Sequence, residues 1–173
     1  MLSSHGLAEV FTPEEVEGLA REWHFLQPWA DSAPGLERIN KGGYVTATLS
    51  NGNLELLRDL DSGLRGSGSG GEGGFKHLLS AEMFRAYKPH PSVYLGACKA
   101  LGLEPKEVAM VAAHLGDLAA ARALGMRTVY VEREGEEEWE VGEERYEEAR
   151  GWVDLWVGVG EGGFEEVARR LGG

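Results

Sequence analysis

The sequence predicts an α/β fold: a Rossmann-like parallel sheet with helices on both faces. Three observations predict it. Short runs of β-branched and apolar residues, at 44–49, 108–112, 128–131 and 154–157, alternate with stretches whose apolar residues recur at helical spacing. Proline and glycine punctuate those helical stretches at their starts and ends. Of the 173 residues, 42% are hydrophobic, enough to form a core.

Thr12-Pro13-Glu14-Glu15 is a helix start, with Thr12 as N-cap, Pro13 at the first helical position and Glu15 closing a capping box. Val16, Leu19, Ala20 and Trp23 then fall on one stripe, and Pro28 ends that helix. A short helix around Pro34–Asn40 stops at Gly42-Gly43. Tyr44–Leu49 reads as a strand, and Ser50-Asn51-Gly52 turns the chain into a helix through Leu54, Leu57 and Arg58. Gly63–Gly74 is so rich in glycine and serine that it reads as a flexible surface insertion. A phosphate cradle is the weaker reading, because no Gly-Lys-Ser/Thr follows and no strand leads in. Phe84–Pro91 is extended, with Pro91 opening a helix striped by Tyr94, Ala97, Cys98 and Leu101 and closed by Gly102. Val108–Ala112 is a short strand, Asp117–Leu124 a helix ending at Gly125, and Thr128–Val131 another strand. Asp154–Val157 is the last strand, before a helix with Phe164, Val167, Ala168 and Leu171 in register. Between the last two strands, Glu132–Arg150 holds ten glutamates and three arginines. It reads as a solvated loop or exposed helix, or else an acidic docking surface, anchored by Trp139 and Tyr146.

Charge and cysteine usage exclude several functions. Acidic residues number 29 against 17 basic ones, a net charge of -12, which argues against nucleic acid. No apolar run approaches the roughly 18 residues of a membrane span, so no membrane partner is expected. The first residues lack the basic and apolar regions of a secretory signal. One cysteine, Cys98, excludes a disulfide framework and a Cys-based zinc site, leaving the cytoplasm as the expected address.

In open α/β sheets, ligands bind beyond the carboxyl ends of the strands. Ser50-Asn51, Lys88 and His114–Asp117 arrive there, bringing a hydroxyl, an amide, an ammonium and a carboxylate toward one anionic centre. Singly, each has a plainer reading: Ser50 and Asp117 as helix caps, Lys88 as a surface lysine. Together, Thr48-Leu49-Ser50-Asn51-Gly52, Lys88-Pro89-His90-Pro91-Ser92-Val93-Tyr94 and Val111-Ala112-Ala113-His114-Leu115-Gly116-Asp117-Leu118 resemble motifs II, III and IV of the haloacid dehalogenase superfamily. Within it the chain is similar to the type II, L-2-haloacid dehalogenase branch and its fungal-type relatives, from about residue 10 onward.

The resemblance implies hydrolytic dehalogenation of a 2-haloacid or similar small carboxylate. A family aspartate displaces halide to give an ester, which water then cleaves. Ser50 would bind the carboxylate of the substrate or of the nucleophile, and Asn51 would line the halide cradle. Lys88 would keep the nucleophile ionised, Tyr94 would orient substrate or Lys88, and Asp117 would pair with Lys88 and help position water. Superfamily phosphatases generally carry a second acidic residue where this chain has Ala113, so no metal or other cofactor is expected and a phosphatase fragment is the lesser option. The branch's usual Ser-Ser-Asn reads Ala112-Ala113-His114, and His114 takes over water positioning or general-base work, or is a buried or capping histidine.

Motif I is missing. None of Asp31, Asp59, Asp61, Asp117 and Asp154 ends an apolar strand in the motif's sequence context. Residues 1–28 resemble the end of the family's helical cap, and 29–173 an incomplete core that lacks its first, central strand. The expectation is therefore a chain inactive by itself. The alternative is a non-catalytic binding or regulatory remnant. Family dimers form through cap helices, so a homodimer is an expectation for the complete protein only.

Overall fold

In the computed structural model, which describes residues 10–67 and 73–172, helix α1 spans Pro13–Glu22. Its capping box forms: Glu15 N–H donates to Thr12 Oγ1 at 3.2 Å, and Thr12 N–H to Glu15 Oε2 at 2.8 Å. The helix ends sooner than Pro28, giving way to a 3₁₀ turn at Trp23–Phe25. It buries no residue, and its apolar stripe leaves Leu19 54% and Trp23 62% exposed. Helix α2, Ser32–Lys41, does bury its stripe, through Ala33, Leu36 and Ile39.

The run expected as a strand at 44–49 is extended but forms only isolated parallel bridges, Ala47 to His77 and Ser50 to Ser80. The cause is side-chain competition. Thr48 Oγ1 donates to Leu79 C=O at 3.1 Å and accepts its N–H at 2.9 Å, taking both main-chain groups that a ladder would use. Helix α3, Leu54–Ser67, corrects the expectation of a flexible insertion starting at Gly63. Leu64 is buried against Ala33 and Leu36, so helical burial overrides the glycine composition. Asp61 holds Arg65 at 2.7 Å and accepts Phe75 N–H at 2.8 Å, tying the two ends of the glycine stretch together. Gly73 and Gly74 are buried too, and a Cβ on Gly73 would lie 2.9 Å from the Ala33 carbonyl oxygen. Residues 68–72 of that stretch lie outside the described residues.

Helix α4, Pro91–Leu101, starts on its proline and stops at Gly102, whose φ of +71° only glycine adopts readily. From there the chain alternates strictly: β1 (Ala109–Ala112), α5 (Leu115–Ala123), β2 (Arg127–Val131), α6 (Glu144–Trp152), β3 (Leu155–Val157), α7 (Gly163–Arg170). The strands form one parallel sheet in chain order, with Ala112 opposite Tyr130 and Val131 opposite Val157. Side chains of β2 alternate across it. Tyr130 faces Tyr94, Leu115, Leu118, Tyr146 and Ala149 from α4, α5 and α6, while Val129 and Val131 face Ile39, Val167 and Ala168 from α2 and α7. Helices thus cover both faces, as the alternation predicts. Among the described residues, no helix is long and apolar enough to cross a membrane.

Candidate active site

Three turns converge at the carboxyl ends of the strands. The first is set by Ser80, wholly buried, whose hydroxyl donates to Gly52 C=O at 2.6 Å and so fixes the Ser50–Gly52 turn. Within it, Ser50 Oγ accepts Gly52 N–H at 3.0 Å. Asn51 spans to the second turn: Lys88 N–H donates to Asn51 Oδ1 at 2.7 Å, and Asn51 Nδ2 donates to Lys88 C=O at 3.3 Å. This clamp holds the main chain of Lys88, a use of Asn51 different from the halide cradle implied by the resemblance.

Lys88 reaches the third turn. Its Nζ donates to Asp117 Oδ2 at 2.6 Å, with the two side chains 18% and 15% exposed. The other oxygen, Oδ1, accepts the Tyr94 hydroxyl at 2.5 Å. Tyr94 is completely buried, and burial, then the Asp117 hydrogen bond and charge, push its phenol far above the ordinary value. A carboxylate holding an ammonium on one oxygen and a phenol on the other is a fixed positioning group. It leaves Lys88 two further N–H donors for an anion. His114 stands apart from this cluster: its ring is 48% exposed and lies 3.8 Å from Glu136. It is the N-cap residue of α5 without a capping side-chain bond.

The remaining aspartates are engaged elsewhere. Asp31 takes both Arg133 nitrogens at 2.8 and 2.6 Å, Asp59 meets His24 at 2.6 Å, Asp61 holds Arg65, and Asp154 accepts Thr128 N–H at 2.8 Å. Asp117 is the aspartate that meets Lys88, and its two oxygens are already taken. Among the described residues, no three His, Cys, Asp or Glu side chains converge as a metal site would need.

Sequence reasoning missed one neighbour of the site, Glu137. Its Oε2 accepts Leu115 N–H, the first amide of α5, at 2.7 Å, and its Oε1 accepts Trp139 N–H at 2.9 Å. One glutamate among ten in an acidic run carries no local signal. Trp139 and Tyr146 do anchor that run. Tyr146 is buried edge-on to Trp156 at 5.7 Å, and Trp139 packs on the core beneath the Arg145 guanidinium at 5.0 Å.

Comparisons with known proteins place the chain in a family. Residues 1–125 match the family model of haloacid dehalogenase-like hydrolases. Over 110 residues the chain is 37% identical to (S)-2-haloacid dehalogenase 4A of Burkholderia cepacia, covering 64% of this chain and 46% of that protein. Over 117 residues it is 32% identical to haloacetate dehalogenase H-2 of Moraxella sp. (strain B), covering 68% and 50%. The crystal structure of an L-2-haloacid dehalogenase superposes with a TM-score of 0.74 at 33% identity, over 99% of this chain and 66% of that one. The chain thus spans about half the length of the curated relatives it matches.

Proposed function

We propose, from the premise that this chain belongs to the haloacid dehalogenase-like hydrolase family, that its site serves hydrolytic dehalogenation of small (S)-2-haloacids. The observation that carries the reading is the Asn51–Lys88–Asp117–Tyr94 cluster at the carboxyl ends of the strands. A carboxylate oxygen attacks C2, the carbon–halogen bond breaks with its electron pair leaving as halide, and an ester forms. Water then attacks the ester carbonyl, releasing the 2-hydroxy acid, the carboxylate and a proton. Lys88, held in its main chain by Asn51 and at its ammonium by Asp117, keeps the attacking carboxylate ionised and offsets the charge of the substrate. Tyr94 locks Asp117 in place. Ser50, next to the clamp, binds a carboxylate, while His114, turned toward Glu136, has no assigned part in this cluster.

On this reading the attacking carboxylate is none of the five aspartates of this chain, which is supported by the engagement of both Asp117 oxygens and by the pairing of the other four elsewhere. The 173 residues alone therefore bring the holding groups and not the attacking one. The same reading assigns 1–28 to a helical cap and 29–173 to the core, which is supported by an α1 that buries nothing.

The test is halide release from (S)-2-chloropropionate by the protein purified from the cells that make it, followed by ion chromatography. Release is expected, with a loss of about 10²–10³-fold in kcat for Lys88→Met. No release by the native protein, or undiminished release by Lys88→Met, would overturn the assignment and favour a binding module.

A further inference from the structure

The acidic segment between β2 and α6 places one carboxylate on the start of α5. The first-turn amides of a helix have no acceptor within it, and its dipole favours negative charge there. At α5, which has no side-chain cap of its own, Glu137 fills that position through Leu115 N–H at 2.7 Å.

A second feature points into the same place. The Tyr130 hydroxyl is fully buried and makes no hydrogen bond of normal length, and the acceptor it faces is the Glu137 carboxylate. Burial, then the charges of Glu137 and Glu132, push its phenol up, so it stays an O–H donor beside the Glu137 carboxylate. Tyr130 stands opposite Ala112 in the sheet, two residues before the N-cap of α5, so its ring and Leu115 close on one end of β1. Trp139 roofs the spot, its indole 3.9 Å from where a Cβ on Gly116 would sit. Asp117, in the same first turn, is already neutralised by Lys88 and Tyr94. Buried donors are rarely left without an acceptor, and here the spare donor lies against an occupied anion position.

We propose that the Leu115 amide and the Tyr130 hydroxyl form a pocket for a small monocarboxylate, in which Glu137 is the built-in occupant and competes with the free anion. The proposal does not depend on the dehalogenase reading. Glu137 closes the pocket with its own carboxylate, so a free carboxylate enters only when the loop that carries Glu137 yields.

The experiment follows the Leu115 and Gly116 amide resonances of the 173-residue chain during titration with sodium acetate, at ionic strength held constant with sodium chloride. In Glu137→Ala, a saturable shift is expected at acetate concentrations at least tenfold below those needed by the wild type. Adding Tyr130→Phe to Glu137→Ala should weaken binding about tenfold, the value of one hydrogen bond to a charged group. Tyr130→Phe alone should move the urea midpoint little, because its hydroxyl makes no hydrogen bond of normal length. If Glu137→Ala does not fold, Glu137→Gln, which keeps an acceptor for Leu115 and drops the charge, should still bind acetate more tightly than the wild type. Non-saturable shifts, equal affinity in wild type and variant, or no effect of Tyr130→Phe on acetate binding would each overturn the proposal.

Discussion

Replacing Lys88 by methionine keeps its apolar stem and deletes the ammonium, leaving Asp117 with the Tyr94 hydroxyl as its remaining partner. Breaking a fully buried ion pair costs about 3–5 kcal/mol, whereas an exposed pair is worth about 0–1. At 18% and 15% exposure, the Lys88 and Asp117 side chains lie nearer the buried limit but still touch water. The expected cost of Lys88→Met is therefore about 2–3 kcal/mol. Asp117→Asn should cost a similar amount, since the amide oxygen still accepts from Tyr94 while Lys88 loses its counter-charge. The double variant should cost less than the sum, with a coupling of about 1–2 kcal/mol. The assay is urea unfolding of the 173-residue chain, followed through its five tryptophans. A coupling within about 0.3 kcal/mol of zero, at unchanged m-values, would refute the reasoning and make Lys88 an ordinary surface lysine.

Burial pushes the Asp31 carboxyl up, but the Arg133 and Phe164 hydrogen bonds outweigh it, and the group sits below its ordinary value. A depressed carboxyl stabilises above its unfolded value of about 4 and loses that contribution as pH falls through the folded one. Arg133→Gln should therefore cost about 1–3 kcal/mol at pH 7 and flatten the decline in urea midpoint between pH 5 and pH 3. The phenols of Tyr94, Tyr130 and Tyr146 are all raised, chiefly by burial. The stability they confer is complete below about pH 10 and is lost as pH climbs toward the folded values, so absorbance at 295 nm should show them ionising only as the chain unfolds. Gly35→Ala would set a methyl 2.5 Å from the Phe164 carbonyl carbon and 2.7 Å from Glu165 N, backbone atoms that cannot step aside. It should lower stability by about 2 kcal/mol or more in the same urea assay.

Local rules made much of this fold legible. Thr12 and Glu15 cap α1, Pro91 and Gly102 bound α4, and the runs at 109–112, 127–131 and 155–157 are strands because each of these signals acts within a few residues. What periodicity cannot report is who pairs with whom. Thr48 takes both main-chain groups of Leu79, 31 positions away, so a β-rich run stays a pair of bridges. Leu64 turns a glycine-rich stretch into helix only because Ala33 and Leu36 wait to cover it. In the site, Lys88, Asp117 and Tyr94, each singled out in the sequence, lie together, whereas the hydrogen bonds by which Asn51 clamps the Lys88 main chain carry no sequence signal of their own. The Asp31–Arg133 pair joins residues 102 positions apart and had no sequence signal at all.

The most direct measurement is incubation of the purified 173-residue chain with (S)-2-chloropropionate, reading chloride by ion chromatography and covalent adducts by intact mass. On the proposed reading the Lys88 site is present and its attacking carboxylate is none of the five aspartates of the chain, so neither chloride nor an adduct should appear. Chloride released in amounts at or above that of the protein, or an ester mapped to one of those aspartates and lost in Lys88→Met, would contradict it.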